Sequence, residues 1–268
     1  MVWAKAFGGP NDDDLQAITI RDDRVFIAGA FTGGVEFQGM VFTSSIMNLC
    51  VLELSTDGEL RWGYTIPSKV AQVAGTIRVA ADYRIFLAAA SLANPKIDAE
   101  LYSLSPDRQT LSARPLPTAL YNGNVNVSLQ GIVLDGTGGI VVGGYFADTV
   151  DFGGGPRTAN GSQDGFAAAY TATLDYRWST LVGGPGYDDI SGIALLSADH
   201  AVVGGGFRGT MQVFHGVGYY NMAYGLAIDN DNTVGVGAFS NVTNPGGHFL
   251  ASTGGMDGFV VKWSGWPP

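Results

Sequence analysis

Five aspartates fall in two matching stretches of this 268-residue chain: Asp12, Asp13 and Asp14 in GGPNDDD, and Asp188 and Asp189 in GGPGYDD. Carboxylates grouped in loops suit Ca2+, a hard cation that takes about six to eight oxygen ligands. Asp13 and Asp189 are the residues expected to hold it. The commoner use of such aspartates is to cap turns by accepting backbone N–H bonds. The same acids are the only candidates for the paired carboxylates of glycoside chemistry, which must stand roughly 5–10 Å apart. A second set joins Tyr187 to Asn122, Asn124 and Asn126, with Tyr219, Tyr220 and Asn221 further on. Aromatic rings and amides can stack on sugars and hydrogen-bond to them; strand-edge packing and turns use the same residue types.

Other chemistry is missing from the sequence. His200, His215 and His248 form no HExxH and no i,i+4 pair, and one cysteine, Cys50, allows no CxxC. Zinc is therefore not expected. There is no G-x-S-x-G elbow and no P-loop. The glycine string Gly204 to Gly209 belongs to a strand with no helix after it. No catalytic residue is assigned, and Ca2+ is the only cofactor the residues suit. Cys50 sits in the apolar run Met47 to Leu54 and reads as a small buried hydrophobe. Trp3, Trp62 and Trp178 read as packing residues.

Net charge is −10 and the pI is about 4.5. Such a surface repels phosphate backbones, which argues against nucleic acid. No run is long and apolar enough to be a membrane span. The opening MVWAKAFGG lacks the charged and apolar regions of a signal peptide. Only 14% of residues are charged, and 40 are glycine. That composition suits many short strands and tight turns, not disorder.

These candidate residues must be positioned by a repeat. Trp3, Trp62 and Trp178 recur at multiples of about 58 residues. A Gly/Ala-rich strand ending in an aromatic recurs at Phe31, Phe146, Phe207 and Phe239. Each unit reads as four strands. The first ends in Asp, and a DD, GTGG or NDN turn leads to the Gly/Ala-rich second strand. A long loop leads to the third, and the fourth carries Trp. Repeated four-stranded antiparallel units predict an all-β chain, a β-propeller of about five blades. The units run roughly 10–66, 70–117, 125–183, 188–221 and 222–268, the last completed by 1–9. The fourth, after Phe207, is too short for its third and fourth strands and reads as truncated. The chain opens on a fourth-type strand and ends after a third-type one, so the N-terminal strand is expected to close the ring, making one domain of residues 1–268. In such a blade the fourth-to-first and second-to-third loops share one face, where loops carry binding residues.

The pattern resembles the bacterial SBBP-type β-propeller repeat. The residues that carry the likeness are Trp3, Phe7 to Gly9, Asp13, Asp14 and Ile18; Val142, Gly144, Phe146 and Val150 to Gly153; Asp164 to Phe166 with Trp178; and Asp257 to Phe259. The first, third and fifth units match well and the second weakly, over about three quarters of the chain. The resemblance implies a bacterial secreted or cell-surface protein and is nearly silent on activity.

With a scaffold and no catalytic constellation, the leading expectation is a non-catalytic binding or assembly module whose loop-rich face meets a protein or a glycan. Asp12, Asp13, Asp14, Asn122, Asn124, Tyr187, Asp188 and Asp189 are the candidate ligand residues. One alternative is a carbohydrate-active hydrolase or lyase using the acidic loops. Another is a structural component of a bacterial or phage surface assembly. A truncated blade leaves edges to cover, so Tyr219, Tyr220 and Met222 are the expected interface for self-association into a homo-oligomer.

Overall fold

The computed structural model describes residues 2–92, 98–116, 127–197, 200–207, 220–229, 232–240, 242–243, 250–251 and 257–264. All regular structure in them is β, and among the described residues no helix is long and apolar enough to cross a membrane. The chain divides into two compact units, one built on Met1–Leu116 and the other on Val125–Pro268.

The first unit holds two antiparallel four-stranded sheets. One runs β1 (Asp14–Arg21), β2 (Arg24–Phe37), β3 (Met40–Ser55), β4 (Leu60–Thr65); the next runs β5 (Gln72–Val79), β6 (Ile85–Ser91), β7 (Asp98–Leu104), β8 (Leu111–Leu116). In the second unit β9 (Val127–Leu134), β10 (Ile140–Phe146), β13 (Asp164–Tyr170) and β14 (Tyr176–Val182) form a third such sheet in that order. A small ribbon, β11 (Thr149–Asp151) with β12 (Pro156–Thr158), interrupts the loop between β10 and β13. Then β15 (Gly192–Ser197) pairs with β16 (His200–Gly204) alone. The last large sheet has the order β17 (Gly206–Phe207), β18 (Tyr220–Asp229), β19 (Asn232–Ser240), β22 (Asp257–Ser264), with a ribbon of β20 (Val242–Thr243) and β21 (Leu250–Ala251) beside it.

The repeat reaches down to a defect. The register slips between Leu15 and Ala17, between Ala74 and Thr76, at the partners of Gly143 and Gly144, and between Ala223 and Gly225. A bulge at one position in four sheets bends each first strand alike. Turn chemistry is equally local. Gln38 and Gly39 both take positive φ, 49° and 83°, which a two-residue turn matched to strand twist requires.

Period-two alternation sorts the side chains of the first sheet onto two faces. Phe26, Ala28, Leu49 and Val51 pack against Ile77, Val79, Ile85, Leu87 and Tyr102 of the second sheet. Val25, Phe31, Phe37, Phe42, Cys50, Leu52 and Leu54 form a separate cluster. The β2–β3 hairpin runs on past the sheet to Phe37 and Met40, and its rings meet Phe7 edge-on, at 5.7 Å for Phe37 and 5.8 Å for Phe42. Burial pushes the Cys50 thiol up to about 12, as expected of a packed hydrophobe.

Residues 2–9 belong to no strand. The segment expected to complete the last sheet lies instead on the first sheet's own elements. The Trp3 indole N–H donates to the Thr56 carbonyl at 2.8 Å, and Lys5 pairs with Glu59 at 3.2 Å. The physical reason is Phe7, whose ring finds three aromatic partners in that hairpin. Among the described residues β15 and β16 pair only with each other, and β17 adds itself to the following sheet.

Candidate functional site

The loops that enter each first strand are held by their own aspartates. Asp13 Oδ2 accepts from the Gly9 amide at 2.6 Å, and its Oδ1 accepts from the Thr32 amide at 3.1 Å. Asn11 Nδ2 donates to the Thr32 carbonyl at 3.2 Å and lies against Gly33, where it leaves no room for a Cβ and φ is 82°. GGPGYDD repeats the arrangement. Asp188 Oδ2 accepts from the Gly184 amide at 2.8 Å, and Asp189 Oδ1 accepts from the Gly206 amide at 2.6 Å. Asp13, Asp188 and Asp189 thus serve backbone amides. Asp12 and Asp14 are exposed. Among the described residues no group of three or more metal-ligating side chains forms. Asn122, Asn124, Asn126, Tyr219, His215 and His248 lie outside the described residues. Tyr220 and Met222 lie at the start of β18, where Met222 pairs with Gly206 and Ala238.

Tyr187 is brought to a second loop. It bridges to Gln163, and the Asp188 amide donates to the Gln163 carbonyl at 2.9 Å. Ser162 donates to the Gly186 carbonyl through its amide and its hydroxyl, each at 3.1 Å. The second-to-third loop of one repeat is thereby zipped to the entry loop of the next, and Tyr187 stands 44% exposed beside the seam.

Beneath it, Asp164 is fully buried. Its Oδ2 accepts from the Asn160 amide at 2.8 Å, and its Oδ1 has no hydrogen-bond partner. Burial pushes this carboxyl above the usual carboxylate range; the Asn160 amide works against the shift, and the nearby Asp188 charge adds to it. Asn48 holds the same register position in the first sheet, opposite Phe31 as Asp164 is opposite Phe146. It too is buried with its Oδ1 unpaired.

A third such oxygen is Gln72 Oε1, at the start of β5. The Gln72 amide nitrogen lies 2.8 Å from Glu100 Oε2 and 2.6 Å from the Tyr102 hydroxyl, which donates to the same carboxylate at 2.7 Å. Burial raises the Tyr102 phenol well above its ordinary value. Gln72 occupies the position that Asp13 and Asp188 hold in the other repeats, each two residues before the strand residue that aligns with Leu15. The second repeat's weak match hides this, because the aspartate signal is replaced by an amide.

Asn48, Gln72 and Asp164 are the buried side-chain acceptors without a donor among the described residues; Gln72 opens β5, Asp164 opens β13, and Asn48 lies within β3 opposite Phe31. Arg21 Nε and Arg24 Nε, which flank the first-to-second turn, make no hydrogen bond but stand 3.8 Å from Asp22 and 4.0 Å from Asp23.

No protein-family model and no curated protein sequence matches this chain.

Proposed function

We propose that this chain is a non-catalytic binding or assembly module. Its sheets are blades of a β-propeller repeat of the SBBP type, and its loop-bearing ends meet a glycan or a protein surface. The reading rests on Asn48 and Asp164, donor-poor acceptors at one register position of two sheets, and on Gln72 at the start of β5. Buried acceptors without donors are costly, so sheets that keep one beside a loop favour a partner rich in hydroxyl or N–H groups. The acidic loops support binding over hydrolysis. Asp13, Asp188 and Asp189 are committed to backbone amides rather than converging on a reaction centre. An extracellular or cell-surface setting follows from the repeat resemblance and belongs to the same proposal.

Calorimetry of the full chain against a panel of soluble bacterial polysaccharides and peptidoglycan fragments tests the glycan arm. Saturable binding that Tyr187→Ala weakens at least about tenfold, with an unchanged melting temperature, supports it. Release of reducing sugar from any of these polymers, abolished by Asp13→Asn or Asp189→Asn, overturns the non-catalytic reading.

A further inference from the structure

One carboxylate of the second unit is buried without a counter-charge. Asp164 opens β13 and is fully buried, yet no cation among the described residues reaches it. The charge that does reach it is the carboxylate of Asp188, which is 2% exposed. Backbone pairing sets these two acids side by side. Gln163 bridges to Tyr187 in parallel, and Asp164 and Asp188 are the next residues on either side of that bridge. Both side chains turn onto the same short backbone. Asp188 Oδ2 accepts from the Gly184 amide, and Asp164 Oδ1 lies where a Cβ on Gly183 would meet it at 2.5 Å. Asp164 gives its other oxygen to the Asn160 amide, and Oδ1 is left with no donor. Two like charges held out of water are costly, and a cation between them offsets that cost.

The first unit carries the same pair of positions with the charge removed. Gln72 follows Asn48 by the 24 residues that separate Asp188 from Asp164. Asn48 stands opposite Phe31 as Asp164 stands opposite Phe146, and Gln72 holds the place of Asp188 ahead of its strand. Both positions are amides there, and both amides keep a buried oxygen without a donor, Asn48 Oδ1 and Gln72 Oε1. Oxygens that meet no protein donor therefore recur at this pair of positions. Where the pair is neutral, a buried water can satisfy it. Where both members are carboxylates, the oxygens suit a metal ion.

We infer that Asp164 and Asp188 bind Ca2+ between the third sheet and the entry loop of the next repeat. Ca2+ takes oxygen ligands in a flexible shell and accepts carboxylates mixed with backbone carbonyls. Asp164 Oδ1 and the Asp188 carboxylate supply the charge. The Gly184 and Gly186 carbonyls, which lie against Gly161 in the same seam, are further oxygens of these loops. Two carboxylates with carbonyls make the site, so it needs no third acidic side chain. Each carboxylate keeps its amide bond, since a carboxylate has about four lone-pair sites. The cation settles Asp164 and leaves Asn48, Gln72 and Tyr187 to the partner of the proposed function.

Calorimetry with CaCl2 on the full chain, stripped with EGTA and held at pH 7, reads the outcome. The wild type binds Ca2+ saturably at one site, and its melting temperature rises with calcium concentration as mass action requires. Asp164→Asn and Asp188→Asn each weaken that binding at least about tenfold. Asp164→Asn also changes sign with the metal. Without Ca2+ it melts at or above the wild type, and in saturating Ca2+ it melts below. A carboxylate with a merely structural role gives no such reversal. A wild type with no saturable binding up to about 10 mM Ca2+, well above the weakest calcium modules, and with an unmoved melting temperature overturns the inference. Calcium binding that both variants retain overturns it too. Should Asp188→Asn fail to fold, the wild-type titration and the Asp164→Asn comparison still decide. A chain that takes no Ca2+ but binds glycan through Tyr187 strikes this inference alone and leaves the binding reading standing.

Discussion

Arg108 Nη2, from the turn before β8, meets Glu53 Oε2 of β3 at 3.2 Å, and the Glu53 side chain is only 7% exposed. The same carboxylate pairs with Arg24 at 3.0 Å, and the Arg108 guanidinium lies 5.1 Å from the centre of the Trp62 ring. Trp62 is one of the recurrent tryptophans, and it is stacked on Tyr64. Charge and ring together fasten the second sheet to the first. Arg108→Met is expected to cost about 1–3 kcal/mol in urea unfolding, because Glu53 keeps Arg24 but loses one charged bond and the ring loses its cation.

Gly131 and Ile193 should behave as a coupled pair, because a Cβ on Gly131 would stand 2.9 Å from Ile193. Gly131→Val puts a methyl into Ile193 and is expected to destabilise by about 1–3 kcal/mol. Ile193→Ala in the same chain frees that space, so the double variant should cost less than the sum of the singles. A double-mutant cycle by urea unfolding measures the difference, and strict additivity would show that the two side chains do not share that space.

Asp164 predicts a rise in stability toward acid. Its folded carboxyl titrates above the ordinary range. The folded state therefore binds the proton more tightly than the unfolded state, and this contribution is present below the ordinary carboxylate range and lost as pH rises through the raised value. Asp164→Asn should remove that slope and be neutral to stabilising at pH 7. Asn48 shows that an amide fits the equivalent register position. Urea midpoints of wild type and variant between pH 3 and pH 7 make the comparison.

Asp135 predicts the opposite slope. Burial alone would raise its carboxyl, but the Thr137 amide and hydroxyl, the Gly139 amide and Arg177 outweigh burial and hold it below the usual range. Its contribution is present above the ordinary carboxylate range and lost as pH falls through the depressed value. Asp135→Asn should flatten acid unfolding and, by removing a capping charge, cost about 1–3 kcal/mol at pH 7.

Phe7→Ala should release the first residues without unfolding the sheet. Losing three edge-on ring contacts is expected to cost about 2–4 kcal/mol. The Trp3 indole N–H, bonded to Thr56, should then exchange with solvent at least about tenfold faster by NMR, while the β2 amides stay protected.

The sheets were legible because their signals are local. Alternation, DD and GTGG turns and the Gly/Ala-rich second strands place β1 to β10 and β13 to β15 close to where they fall. Residues 2–9 were misread because WAKAF has the pattern of a strand, and only the distant rings of Phe37 and Phe42 decide where it lies. The β2–β3 hairpin extension was read as loop because Gly33 and Gly34 mimic a stop. For the acidic loops, sequence located Asp13, Asp188 and Asp189 but could not say which groups their oxygens would face. Gln72, Glu100 and Tyr102 were invisible, since a buried amide carries no motif and its partners come from another strand.

Gly205 joins β16 to β17, so a single stretch of backbone serves as the second strand of one sheet and the edge of the next. Asp189 clamps that junction, its amide donating to the Gly206 carbonyl at 2.8 Å and its carboxylate accepting from the Gly206 amide. Under tension such a splice has no slack. A pull that strips β17 from β18 is carried straight into the β15–β16 pairing through one glycine, so the two sheets yield in one rupture rather than in sequence. One shared stretch of backbone gives these two sheets a mechanical weld.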